Sequence, residues 1–356
     1  MGHGKWEMGK AGRMWRFPIS HLPCPISRMG LSSSCYAAFA RRRREWYAAR
    51  PDARRRLCRP VISVGNIAAG GRGKTPLVAS IARLLLESGE RPAILSRGYA
   101  RTRPADGVVI VRDAAAIRAD VARAGDEPFM LARQLPGAIV TTSPDRYLAG
   151  RLAEHHLGAT VHILDDGFQH FQVDRDADVV LITAADVTAS TFPAGRLREP
   201  PDVLIAADAL IALDGEVPEE DTVSDREVFR ARRVVGVPVF DRPAGEARRV
   251  LAFAGIADPE AFFSGVQAQG WTVAARAAFR DHHPYSARDV AKLFADARGV
   301  GASAVLTTEK DYVRLLRHRP FAMPVGWLPL TLEPEPLADF RRWLLASIAA
   351  ARDVVR

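Results

Sequence analysis

Cysteine is scarce. Cys24, Cys35 and Cys58 are the only three in 356 residues, and no two are spaced as C-x-x-C. That speaks against a disulfide framework or a zinc site and makes a reducing cytoplasm the expected compartment. No apolar stretch reaches the about 18 uncharged residues of a membrane-spanning helix. No clean apolar core leads to a small-residue cleavage site, so a secretory leader is not expected. Internal repeats and low-complexity tracts are missing as well. Acidic residues are nearly absent from the first 60 positions, where three face fourteen Lys/Arg. That segment therefore stands at +11 in a chain of net charge +9, which leaves residues 61–356 at −2. A body so close to neutral weakens a reading of the whole protein as a nucleic-acid binder, and no nucleic-acid partner is expected.

What is present is a chain long enough for two domains and a sizeable core, with 48% hydrophobic and 26% charged residues, as in folded soluble proteins. Residues 1–58 mix the basic charge with large apolar groups: Trp15, Phe17, Ile19, Leu22, then Tyr36, Phe39, Trp46 and Tyr47 around Arg41-Arg-Arg-Arg44. Pro18, Pro23 and Pro25 interrupt the early part. The pattern suits an amphipathic segment lying on an anionic leaflet, drawn there by about 1 kcal/mol per basic residue, ahead of the alternatives of a solvated basic helix or an RNA-binding arm.

The run Pro60-Val-Ile-Ser-Val-Gly-Asn-Ile-Ala-Ala-Gly-Gly-Arg-Gly-Lys-Thr-Pro76 reads as strand, glycine-rich loop and helix start. Gly70, Gly71 and Gly73 let backbone N–H groups converge on an anion. Lys74 supplies a point charge for β/γ-phosphates and Thr75 a hydroxyl for Mg²⁺. Pro76 suits the first helical turn. The pattern G-x-x-x-x-G-K-[ST] departs at Ala68, where glycine is usual. A nucleoside triphosphate, ATP, is the expected ligand.

From residue 61, short apolar runs alternate with helical patterns. Strands are expected at 93–95, 108–111, 138–140, 161–164, 179–182 and 203–205, with a helix from about 145 to 156. Alternating β and α units imply an α/β fold: a P-loop NTPase-like parallel sheet with helices on both faces, ligands lying beyond the carboxyl ends of its strands. Residues 225–248 alternate charged and apolar groups and then break at Gly236, Pro238, Pro243 and Gly245, as an exposed two-stranded linker would. Val250-Leu-Ala-Phe-Ala-Gly255 opens a second, smaller α/β series that ends in an amphipathic helix over 337–348. The expected division is 1–58 basic segment, 59–224 P-loop domain, 225–248 linker and 249–356 C-terminal α/β domain.

Several polar clusters follow strands. Asp165-Asp166 precedes Gly167 and is placed to hold Mg²⁺ opposite the loop hydroxyl if the chain turns there. Asp126 and Glu127 open a helix, where capping is the plain reading. Asp281-His282-His283 pairs acid with imidazole, the makings of a proton-accepting site or of an ordinary surface loop. Arg146, Arg198 and Glu199 lie beyond other strand ends, where arginines can clamp phosphate oxygens or form surface ion pairs.

Taken in order, Ser63 to Pro76, Leu95-Ser-Arg-Gly-Tyr99, Gly125-Asp-Glu-Pro128, Asp165-Asp-Gly-Phe-Gln-His170, Gly195-Arg-Leu-Arg-Glu-Pro200, Asp281-His282 and Thr308-Glu-Lys-Asp311 resemble the tetraacyldisaccharide 4′-kinase family, the lipid A 4′-kinases. The resemblance covers about residues 60–312. It implies ATP-dependent phosphorylation of the 4′-hydroxyl of a tetraacyl glucosamine disaccharide 1-phosphate, at the cytoplasmic face of the bacterial inner membrane. The implied partners are that lipid and the anionic membrane surface, with no obligate protein partner. It further implies Lys74 and Thr75 on phosphates and Mg²⁺, Asp165, Asp166 and Glu199 as candidate metal ligands, and Arg146, Arg198 and Glu199 around the triphosphate. Asp126 becomes the catalytic acid–base group with His282 as its partner, in place of the capping role. Arg72 stands where the family has a small polar residue. A small-molecule kinase or ATP-dependent ligase on the same fold is a third reading, though it has no need of the Trp/Tyr/Arg-rich N-terminus; the runner-up is a P-loop ATPase that switches membrane or partner binding without phosphoryl transfer. Its dimerising members place a lysine where this chain has Ala69.

Overall fold

Val61–Asn66 (β1) is buried at every position, as a central parallel strand must be when helices cover both faces of its sheet. The computed structural model describes residues 32–70, 73–99, 101–103, 106–213 and 226–355. β1 pairs in parallel with Val161–Asp165 (β5) on one side and Ala177–Ile182 (β6) on the other. Beyond β5 lie Pro92–Ser96 (β2) and Ile139–Thr142 (β4), both parallel, and the antiparallel edge strand Val109–Arg112 (β3). Beyond β6 lie Ala209–Leu213 (β7) and Glu227–Val235 (β8), both parallel.

Side chains alternate across this sheet. Ile62, Val64 and Ile94 face a core built with the helix Lys74–Glu87 (α2), while Val61, Ala93 and Leu95 face a second core shared with the helix Arg146–His156 (α5). The run 203–205, expected as a strand, lies in a 3₁₀ helix, Pro201–Ala206, and the strand is the next apolar run, β7. Two consecutive prolines open that helix, and a three-residue apolar run has no period of its own to oppose them.

The second sheet has the order β11-β10-β12-β13-β9, from Thr272–Ala278 (β11), Arg249–Ala254 (β10), Ala304–Thr308 (β12), Val325–Leu328 (β13) and Val239–Phe240 (β9). Helices Pro259–Ala268 and Ala287–Gly299 cover its two faces.

Two expected boundaries need correction. The linker's strands do not pair with each other. β8 pairs antiparallel with Leu330–Glu335 (β14), and β9 belongs to the second sheet. The C-terminal domain does not run to the end of the chain either. β14 returns to the large sheet, and the helix Leu337–Val355 lays Phe340, Leu344 and Ile348 into the α2 core. Phe340 meets Phe229 of β8 edge-on, with centroids 5.1 Å apart. The smaller sheet is thus an insertion whose two ends leave through one antiparallel ribbon.

Leu344 is fully buried in the large body's core. Leu344→Ala is expected to lower unfolding free energy by about 2–5 kcal/mol. Leu337→Ala, at an exposed position, should change it by less than about 0.5 kcal/mol. Urea unfolding followed by tryptophan fluorescence and circular dichroism checks both.

Candidate active site

The carboxyl edge of the large sheet gathers most of the charged clusters. β1 ends at Asn66 and the loop turns into α2 through Gly70 and Gly73, at φ +102° and +103°, a left-handed conformation open to glycine without strain. Ala68 needs no such freedom. It is extended, buried and bridged to Leu197, while Arg198 N–H donates to the Ile67 carbonyl at 2.7 Å. That pairing ties the 195–199 segment to the loop and sets Arg198 beside it. Gly71 and Arg72 lie outside the described residues.

Lys74 is 8% exposed. Its Nζ donates to Asn66 Oδ1 at 2.9 Å and to the Gly70 carbonyl at 3.3 Å, and stands 3.2 Å from Asp166 Oδ1. Asp166 takes φ +54°, so the chain does turn after Asp165 and both carboxylates face the same edge. Arg198 Nη1 grips both oxygens of Asp166 at 2.8 and 3.0 Å. Against burial, Lys74 and Arg198 hold the Asp166 carboxyl well below the usual range. Asp165 is the opposite case. Burial, then the neighbouring Glu127 and Asp166, push it up to about 6, although Ser96 Oγ donates to it at 2.9 Å. Arg146, first residue of α5 after the Asp145 cap, is 6% exposed, and burial lowers its guanidinium to about 10.

Asp126 and Glu127 open the helix Asp126–Gln134 (α4) without capping it, since Gly125 holds the N-cap position at φ +89°. A Cβ on Gly125 would stand 2.6 Å from the Tyr99 carbonyl. Glu127 Oε2 accepts from Thr75 Oγ1 at 3.4 Å and its Oε1 lies 3.0 Å from Lys310 Nζ. Asp126 Oδ2 accepts from Arg314 Nε at 2.6 Å. Lys310 and Arg314 belong to the helix Glu309–Leu315, so the second sheet reaches this edge through them. His282, in a left-handed turn at φ +59°, sets Nδ1 3.2 Å from Arg314 Nη2 and Nε2 3.2 Å from Lys310 Nζ. Burial and then Lys310 lower its pKa, which favours the neutral ring.

The structure therefore brings Lys74, Thr75, Asp126, Asp165, Asp166 and Arg198 to one edge, with His282 reaching Asp126 through Arg314. Glu199 is turned to another purpose. Both its oxygens accept from Arg44 of the helix Ser33–Ala48 (α1), at 2.7 and 3.1 Å, and Oε2 also accepts from Gln169 Nε2 at 3.1 Å. That bidentate, 2% exposed ion pair ties Glu199 to α1. Sequence reasoning missed Glu127, Lys310 and Arg314 as members of the site. The string Thr308-Glu-Lys-Asp311 pointed at their neighbourhood, and the four-residue spacing of Lys310 and Arg314 puts both on one helix face.

The chemistry on offer is hard-oxygen and cationic. Among the described residues no group of three or more His, Cys, Asp and Glu is placed to hold a metal ion. Magnesium does not require one. It keeps several waters and takes one or two carboxylates together with phosphate oxygens. The Thr75 hydroxyl and the Asp165 and Asp166 carboxylates, with Asp165 raised by burial and then by Glu127 and Asp166, fit such an ion.

The family model described as tetraacyldisaccharide-1-P 4′-kinase matches residues 29–349. A tetraacyldisaccharide 4′-kinase of Geobacter metallireducens is 40% identical over 82% of this chain and 88% of its own length. One of Nitrobacter winogradskyi is 40% identical over 95% and 97%. The crystal structure of the "apo" form of LpxK from Aquifex aeolicus in complex with ATP matches with a TM-score of 0.73 at 31% identity, over 89% of this chain and 96% of that one.

His170 provides a check on the electrostatics. Burial, then Arg146 and Arg175, push its pKa down to about 3, and its Nε2 finds no hydrogen-bond partner among the described residues. The unfolded chain, with an ordinary imidazole near 6.5, binds the proton that the folded chain refuses. This contribution to stability is thus complete above pH 6.5 and falls as pH drops toward 3, by up to about 1.4 kcal/mol per pH unit. His170→Gln is expected to flatten the loss of stability between pH 6.5 and 5, read by urea unfolding at several pH values.

Proposed function

The chain belongs to the tetraacyldisaccharide-1-P 4′-kinase family, and from that premise we propose that it transfers the γ-phosphoryl group of ATP to the 4′-hydroxyl of a tetraacyl glucosamine disaccharide 1-phosphate, at the carboxyl edge of the large sheet. It is an ATP-dependent kinase of lipid A biosynthesis. The observation that carries the site assignment is that Lys74, Asp166 and Arg198 stand in one contact network with the loop, while Asp126 opens α4 on the same edge.

The loop's backbone N–H groups, Lys74 and Arg198 receive the triphosphate, and Arg146 adds positive charge behind Asp165. Thr75, Asp165 and Asp166 would hold Mg²⁺, which would neutralise part of the triphosphate's negative charge. A sugar hydroxyl is a poor nucleophile. Asp126, at a helix N-terminus where a carboxylate is favoured, accepts its proton as the oxygen–phosphorus bond forms and the bond to the β–γ bridging oxygen breaks, leaving ADP with that electron pair. Neutral His282 and the cations beside it keep the base in place.

The reading also places the chain on the cytoplasmic face of the bacterial inner membrane. Among the described residues no helix is long and apolar enough to cross a membrane. What supports surface contact is α1. Its inward arginines are already committed, Arg44 to Glu199 and Arg43 to the Gln169 carbonyl and the Phe171 ring. Phe39, Arg42 and Trp46 form an exposed stripe at helical spacing, an aromatic and basic face suited to anionic headgroups.

The test is incubation with γ-labelled ATP and the disaccharide lipid in mixed micelles. Label on the lipid is expected, and ATP hydrolysed with the lipid unlabelled overturns the reading. Asp126→Asn should lower turnover about 10²- to 10⁴-fold with the ATP dissociation constant nearly unchanged. Replacing Phe39 and Trp46 together by serine should weaken co-sedimentation with anionic vesicles by about tenfold. Binding that survives both this change and raised salt would remove α1 from the membrane contact.

A further inference from the structure

Arg314 is the residue to which the site's two halves are both attached. It lies on the helix Glu309–Leu315 that follows β12 of the second sheet, is 8% exposed, and spreads its guanidinium over groups from four separate segments. Nε donates to Asp126 Oδ2 at 2.6 Å. Nη1 donates to Asp311 Oδ1 at 2.9 Å and to the Gly255 carbonyl at 3.3 Å. Nη2 faces His282 Nδ1 at 3.2 Å.

Asp311 is itself fixed. It is fully buried, and it accepts from Thr308 Oγ1 at 2.7 Å, from Gly255 N–H at 2.9 Å and from Tyr285 Oη at 3.0 Å. The guanidinium is thus anchored on its own body and presents its remaining edge across the gap. An ammonium group could neutralise one carboxylate. It could not present three nitrogens in one plane to Asp126, Asp311 and His282.

Two consequences follow for the reacting groups. First, Asp126 is held by Oδ2 alone of its two oxygens in this contact, and that orients Oδ1 as the acceptor of the hydroxyl proton. Second, His282 lies between two cationic donors, Arg314 and Lys310. A neutral imidazole has one bare nitrogen to offer them. A doubly protonated ring would set N–H against cation on both sides. Burial and these cations therefore disfavour the doubly protonated ring, against the pull of Asp281 Oδ1 3.9 Å from Nε2.

We propose that Arg314 is a positioning residue for the phosphoryl transfer, acting through Asp126 and His282: its fork fixes the proton-accepting carboxylate across the gap between the two sheets and makes the base productive only when the second sheet is docked. The inference rests on the kinase reading above. It adds a residue which neither motif reasoning nor the comparisons single out.

Arg314→Lys keeps the charge and loses the fork, so it is the informative variant, and Arg314→Gln is the harsher one. Lipid phosphorylation is measured for the wild-type chain, Arg314→Lys, Arg314→Gln, Asp126→Asn and the Arg314→Lys/Asp126→Asn double variant. ATP affinity is measured by calorimetry and folding by thermal unfolding. In Arg314→Lys, kcat is expected to fall about 10²-fold, the scale set by misplacing a reacting group by about 1 Å, while the ATP dissociation constant and the lipid KM stay within about twofold. The double variant should be no slower than Asp126→Asn alone, because a residue that acts through the base has nothing left to position.

Arg314→Lys folded like the wild type with kcat within twofold overturns the inference. So does a double variant whose losses multiply, or a loss that appears equally in ATP affinity. If Arg314→Gln fails to fold, Arg314→Lys still decides. A wild-type chain that leaves the lipid unlabelled removes the kinase reading and this inference with it, whereas labelled lipid with multiplicative losses removes the Arg314 assignment alone.

Discussion

A guanidinium shut between two sheets has to be neutralised from both sides, and much of this molecule's arrangement follows from that. Arg314 finds one partner on its own body, Asp311, and one on the other, Asp126. Removing a partner from a buried ion pair leaves an uncompensated charge that costs about 3–5 kcal/mol. The pair therefore acts as a condition on geometry: the smaller sheet docks so that Asp126 comes under the fork. Around it, Glu127 meets Lys310 at 3.0 Å and Gln134 donates to Glu309 at 2.6 Å, so α4 and the Glu309–Leu315 helix are matched along their length.

The same economy of charge runs through the phosphate loop. Lys74, Arg198 and Arg146 surround Asp165 and Asp166, and the two carboxylates are driven in opposite directions by what lies nearest each. Asp166 is gripped by two cations. Asp165, crowded by Glu127 and Asp166, carries charge that the protein leaves for something else to balance. From the loop a continuous line of contacts leads outward: Lys74 to Asn66, Asn66 to Gln169, Gln169 to Glu199, and Glu199 to Arg44 of α1. The helix with the exposed aromatic face is joined to the lysine at the site's centre through side chains and the Asn66 main-chain carbonyl.

What the sequence disclosed and what it withheld divide along the range of the interactions. The loop, the helix after it and the acidic turn at Asp165-Asp166 are written in consecutive residues with fixed backbone demands, and they were legible. Asp126 was ambiguous because an acid at a helix start serves equally as cap or as base; only the order of distant strings tipped the reading. The pairing of Glu199 with Arg44 was illegible for a related reason, since nothing local announces a partner 155 positions away. Arg314 had no motif to announce it. β14 and the last helix were given to the wrong body because pairing between residues 230–235 and 330–335 leaves no trace in either segment's own pattern. The misread 203–205 run shows the remaining limit: a few apolar residues fit a strand or a turn of helix equally well until their neighbours decide.

The ribbon of β8 and β14 has a mechanical meaning. Val235 stands opposite Leu330, so the inserted body departs and returns through one pair of hydrogen-bonded neighbours. A single covalent tether would let that body spin about the tether's length. Two strands bonded side by side transmit torque, so spinning is resisted while bending across the ribbon's flat face stays comparatively soft. The ribbon therefore limits the orientations open to the insert more than a single strand would. His282, Lys310 and Arg314 all belong to the body it holds, so one pairing sets their common orientation toward the large sheet.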